Sequence, residues 1–83
     1  MPLYLDTHSH IEGITKEAAE KAHAADLAAQ KKYDVRYLRY YLDVDNAKVF
    51  CLVEAPSKEA ATAVHREAHG LVADEISEVM EGV

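Results

Sequence analysis

The chain of 83 residues contains a single cysteine, Cys51, so no internal disulfide forms and the paired-cysteine sites of structural zinc and copper-shuttling modules are excluded. Any metal it holds is bound through nitrogen and oxygen, with at most one sulfur. Glycine is equally sparse. Gly13, Gly70 and Gly82 are the only three, too scattered for a phosphate-cradling loop, and nothing points to a nucleotide cofactor. Basic residues number 9 against 15 acidic ones, giving a net charge of −6, and no basic run is present to neutralise phosphates. Nucleic acid is therefore not expected as a partner, and cations suit this field better than anions. No apolar stretch approaches about 18 residues, and charge and polarity begin at Asp6, so neither a membrane span nor a signal segment is expected and the protein reads as cytoplasmic. There is no linker and no low-complexity segment; residues 1–83 read as one domain.

Histidine, by contrast, is abundant: five in 83 residues, four of them at spacings that regular structure turns into shared faces. His65 and His69 stand four apart, one turn of a helix, which is a metal-chelating geometry. His8 and His10 stand two apart, so on a strand they share a face with each other and with Asp6. His23 has Asp26 three residues on, again the same side of a helix.

The pattern along the chain assigns these residues to elements. Residues 3–9 alternate, Leu3, Leu5 and Thr7 on one face and Tyr4, Asp6 and His8 on the other, which predicts a strand. After Gly13, Thr15 is an N-cap for an alanine-rich helix running to about Lys32. Residues 35–43 are rich in strand formers, Asp45-Asn46 makes a turn, and 48–54 returns as a second strand of a hairpin. Pro56-Ser57 opens a second helix that Gly70 terminates, and a last strand falls near 76–80. The order βαββαβ predicts a ferredoxin-like α+β sandwich, a four-stranded antiparallel sheet with two helices on one face. In the central strands Val49, Cys51 and Val53 oppose Phe50 and Leu52, while Leu38, Tyr40 and Leu42 oppose Tyr37 and Tyr41. Two helices cover one face only, so a second copy is expected to cover the other, as a homodimer with stacked sheets.

Each candidate ligand also has a structural reading. At about 100° per residue, Asp26 falls within the broad arc of the first helix that also holds Ala18, Ala22, Ala25, Ala29, Leu27 and His23. There it is either buried and paired or, with the helix rotated, a rim residue bonded to His23. In the second helix Ala60, Ala61, Val64 and Ala68 mark the buried stripe, with His65 and His69 at its edge. The spacing is not the metalloprotease H-E-x-x-H, because Glu67 points away from both rings. His69 alone suits the last turn through the helix dipole, His65 suits a polar boundary, and His8 and His10 suit a strand end facing solvent. Cys51 reads as inert core.

The stretches Leu5-Asp6-Thr7-His8, Ala22-His23-Ala24-Ala25-Asp26-Leu27, 49–57 and Val64-His65-Arg66-Glu67-Ala68-His69-Gly70-Leu71 together resemble a family of small bacterial nickel-binding proteins known from an actinomycete member. The D-x-H, H-x-x-D-L and H-x-x-x-H-G elements carry the resemblance over nearly the whole chain. It implies a ferredoxin-like homodimer with nickel in or near the subunit interface, and it makes Asp6, His8, His23, Asp26, His65 and His69 the metal-site residues. Imidazole and carboxylate donors suit nickel, zinc and copper alike, so the sequence does not choose among them. The leading expectation is a nickel-binding protein that stores, buffers or senses the ion and is not an enzyme. The rivals are a dimeric enzyme or ligand-binding protein with a histidine in an apolar pocket between sheet and helices, and a structural interaction domain indifferent to its histidines.

Overall fold

Strand β1 (Leu3–His8) opens the chain in the computed structural model, which describes residues 1–83. The Thr15 hydroxyl caps helix α1 (Lys16–Ala29) by accepting from the Ala18 amide. The expected run to Lys32 ends sooner, at Ala29, and residues Gln30–Tyr33 tighten into a 3-10 turn. The cause is local: the Gln30 carbonyl accepts from the Val35 amide and its side chain accepts from Tyr37, so this residue is committed to the chain entering β2 (Arg36–Asp43). Asp43 then caps the hairpin turn, accepting from the Asn46 amide and side chain, and β3 (Lys48–Glu54) returns. Ser57 caps α2 (Lys58–Ala68) through the Ala60 amide. Gly70, with φ +80, ends that helix by donating its amide to the His65 carbonyl, a conformation glycine adopts without steric cost. β4 (Glu75–Val79) closes the fold one residue earlier than expected.

The sheet order is β2-β3-β1-β4, every pair antiparallel, with α1 and α2 on one face: a ferredoxin-like α+β sandwich, as the pattern predicts. No helix is long and apolar enough to cross a membrane.

Strict alternation fails in β2. Tyr37 pairs with Val53 and Arg39 with Leu52, so Leu38 is bulged out of register. The extra residue puts Tyr37 and Tyr40 on the same side, toward the helices, where alternation sets them on opposite faces. The core is formed by Tyr4, Val35, Tyr37, Cys51, Val53, Ala55, Ala61 and Val64. Thirteen residues are buried, and four of them are Asp6, His8, Asp26 and His65. With nearly a third of the interior ionisable, the site lies in the core itself.

Helix α1 corrects a second expectation. Of its predicted arc, Asp26 is buried but Leu27 is 45% exposed and Ala18 is exposed, while Ala19 is the other buried residue. An alanine face has little apolar area with which to dictate its own rotation. The buried polar contact of Asp26 sets it instead. On the opposite face of the sheet Leu3, Leu5, Phe50 and Leu52 are half-buried and Tyr41 is 49% exposed.

Candidate metal centre

The β1 alternation is inverted relative to hydrophobicity. Tyr4, Asp6 and His8 point into the helix-covered core, and Leu3, Leu5 and Thr7 point to the open face. Asp6 and His8 therefore sit beneath α2, where His65 is 1% exposed. The expectation that His65 lies at the edge of the stripe is corrected: it is fully inside, between two carboxylates from different elements.

Its ring uses both nitrogens. Nδ1 stands 2.9 Å from Asp26 Oδ1 of α1, and Nε2 stands 2.9 Å from Asp6 Oδ2 of β1. Burial alone pulls the His65 pKa down, but the Asp26 and Asp6 carboxylates raise it to about 9. The ring is an imidazolium at neutral pH, donating at both ends. Burial likewise opposes ionisation of Asp6 and Asp26; His65 with His8 holds the first below the ordinary carboxylate range, and His65 with His69 does the same for the second. A buried ionic network of this kind is costly to break and adds little stability when intact.

Two groups of donors converge on His65. The ligand atoms of Asp6, His8, Cys51 and His65 all lie within 4.8 Å of one another, as do those of Asp26, His65 and His69. In the first, His8 Nε2 is 3.3 Å from both His65 Nε2 and Asp6 Oδ1. Asp6 Oδ1 is nevertheless a buried oxygen with no hydrogen bond. That oxygen, facing the imidazole nitrogen of His8, keeps lone pairs free for a proton donor or a cation. In the second group His69 Nε2 is 3.1 Å from Asp26 Oδ1. The donor set, three imidazoles, two carboxylates and one thiol, fits a first-row divalent ion. Asp6, His8, Cys51 and His65 would hold it, with Asp26 on the far nitrogen of His65 in the carboxylate-histidine arrangement common to metal sites.

Five of the six predicted ligands are thus brought together: Asp6, His8, Asp26, His65 and His69. The alternative placing of Asp26, at the rim bonded to His23, does not occur. His23 joins neither group. Its ring lies 5.0 Å from that of Tyr40, on the wall of the adjoining cavity. His10, exposed and with φ 60, leaves the strand before it can share the Asp6 face.

Two participants escaped sequence reasoning. Tyr37 donates its hydroxyl toward Asp6 Oδ2 at 3.0 Å and the Ala61 carbonyl at 3.1 Å, and no local spacing signals it because the bulge sets its direction. Cys51, read as inert core, pairs directly across from Asp6. The fold's β1–β3 adjacency and the face shared with Val53 carried that signal. Burial and the Asp6 charge push its thiol pKa upward, so it ligates only where a metal compensates the thiolate.

Residues 4–79 match the family described as nickel responsive protein SCO4226-like. The chain belongs to that family. Its fold is shared with the crystal structure of SCO4226 from Streptomyces coelicolor A3(2), at a TM-score of 0.91 and 38% sequence identity over 98% of this chain and 99% of that one. No curated protein matches the sequence. Family membership and fold both agree with the resemblance read from the D-x-H, H-x-x-D-L and H-x-x-x-H-G elements.

Proposed function

We propose that this protein binds a divalent transition metal, nickel first with zinc and copper as competitors, and stores, buffers or senses it instead of catalysing a reaction. The observation that carries the reading is the convergence of Asp6, His8, Cys51 and His65 around a buried carboxylate oxygen that has no hydrogen bond. Membership in a family described as nickel responsive supports nickel as the first candidate. When bound, the metal would supply the positive charge that Asp6 Oδ1 lacks. The chain's own part is to hold the donors rigidly: Asp6 and His8 on a central strand, Cys51 on its neighbour, and His65 oriented by Asp26. For the ion to enter, Nε2 of His65 must give up its proton and the Cys51 thiol must ionise, so uptake releases protons.

Titration calorimetry of the metal-free protein with nickel, zinc and copper tests this. Binding far tighter than about 1 mM for at least one of them is expected, and none tighter than that rejects the reading. We also propose a homodimer formed through the open sheet face, supported by the half-buried Leu5, Phe50 and Leu52 that no helix covers. That face lies across the sheet from the donor groups, so this dimer keeps the donors away from the subunit seam, whereas the resemblance implies nickel in or near the interface.

A further inference from the structure

The donor cluster opens into a cavity of about 130 Å³, whose inner wall includes His8, Asp26, Cys51, His65 and His69. Its outer wall is apolar, formed by Ala18 and Ala22 of α1, Ile11 and Ile14 of the loop before it, Val49 of β3 and Leu71 after α2. The alanines create the space, since a helix with larger residues there would fill it. The cavity opens to solvent past Ala18 and the 54% exposed Leu71, so a small molecule can enter it. Its inner end is polar. Asp26 lines it, is 2% exposed, and receives both His65 and His69 on the same oxygen, Oδ1. The second oxygen of that carboxylate takes no donor from either ring. Asp6, the other buried carboxylate, lies on the far side of His65 from Asp26.

We propose that the cavity binds a small organic amine, with its hydrocarbon body against the alanine and isoleucine wall and its ammonium group at the free oxygen of Asp26. The volume sets the size. A cavity of about 150 Å³ accepts benzene, so the ligand has about six non-hydrogen atoms. The carboxylate sets the head group: an ammonium makes a charge-assisted hydrogen bond to the free oxygen of Asp26, whereas a neutral hydroxyl makes an ordinary one. This site goes beyond the metal reading, because it uses the oxygen of Asp26 that the histidines leave free and an apolar wall that a metal ion does not need.

The test uses metal-free protein titrated with cyclopentylamine, its neutral counterpart cyclopentanol, and the bulkier 1-adamantylamine, followed by amide chemical shifts. Cyclopentylamine is expected to shift Ala22, Asp26 and Leu71 and to bind about ten-fold more tightly than cyclopentanol. 1-Adamantylamine should not enter. Ala18→Leu, at the exposed rim of the wall, should weaken the amine, and Asp26→Asn should abolish the preference for amine over alcohol. Equal binding of cyclopentylamine and cyclopentanol, or no shift at the cavity from either, overturns the proposal. Should Asp26→Asn fail to fold, the amine-to-alcohol ratio in the unaltered protein decides alone. Nickel titration of the same sample reports on the metal reading separately, and its failure leaves the amine result standing.

Discussion

His65 Nδ1 and Asp26 Oδ1 meet at 2.9 Å, and this contact between buried side chains ties α2 to α1. His69, at the end of α2, adds a second contact to the same carboxylate oxygen at 3.1 Å. His65 reaches Asp6 of β1 with its other nitrogen, which makes one ring the junction of two helices and the sheet.

Replacing His65 should therefore damage the fold as well as the site. His65→Ala leaves Asp6 and Asp26 buried without their shared cation, a loss of about 3–5 kcal/mol. Urea unfolding of the metal-free protein measures it. A loss below about 1 kcal/mol would show that the two carboxylates are neutral in the fold.

His69→Ala is the cleaner probe of the metal. His69 is only partly buried, and Asp26 keeps His65 when it is removed. The metal-free protein should lose about 1 kcal/mol. If the Asp26, His65 and His69 group holds nickel, the nickel-dependent rise in Tm should shrink. If nickel sits only at the Asp6, His8, Cys51 and His65 group, that rise should be unchanged.

Stability should depend on pH on both sides of a plateau. His65 has its pKa raised from 6.5 to about 9, so its contribution is complete below 6.5 and is lost as pH rises toward and past 9. Asp6 and Asp26 have theirs lowered from 3.8, so their contribution is complete above that value and fades as pH falls below it. Unfolding free energy measured from pH 3 to pH 10 should form a plateau between about 4 and 6.5 with a decline on each side.

Nickel affinity should run the other way over the alkaline limb. An ordinary imidazole site gains affinity from pH 5 to about 7 and then levels off. Here the His65 proton is held to about 9, so affinity should continue to rise above pH 7. Calorimetry in buffers of different ionisation enthalpy measures both the affinity and the protons released. A flat profile from pH 5 to 9 would assign the ligands to carboxylates and backbone oxygens.

Cys51→Ser distinguishes a thiolate ligand from a core residue. Substituting cobalt for nickel should give an intense near-ultraviolet charge-transfer band if the sulfur is bound, and the serine variant should lose it. An identical spectrum in both proteins would remove Cys51 from the site.

The sequence by itself determined the order and type of the four strands and two α-helices, because the strand alternation, the Thr15 and Ser57 caps and the Gly70 stop are local signals that need no tertiary partner. It also determined which histidines and aspartates could matter, since all six candidates, Asp6 with His8, His23 with Asp26 and His65 with His69, lie at fixed helical or strand spacings. Tertiary structure decided the rest. The direction of Asp6 and His8 was not legible, because their face is buried although it reads as the more polar one. Packing against α2 outweighs local hydrophobicity there, since His65 pairs with the buried charge. The rotation of α1 was undetermined because alanine supplies too little area to choose a face, and Asp26 settled it by reaching His65. Cys51 and Tyr37 entered the site only through the β1–β3 register and the bulge at Leu38, which depend on strand pairing between residues far apart in the chain.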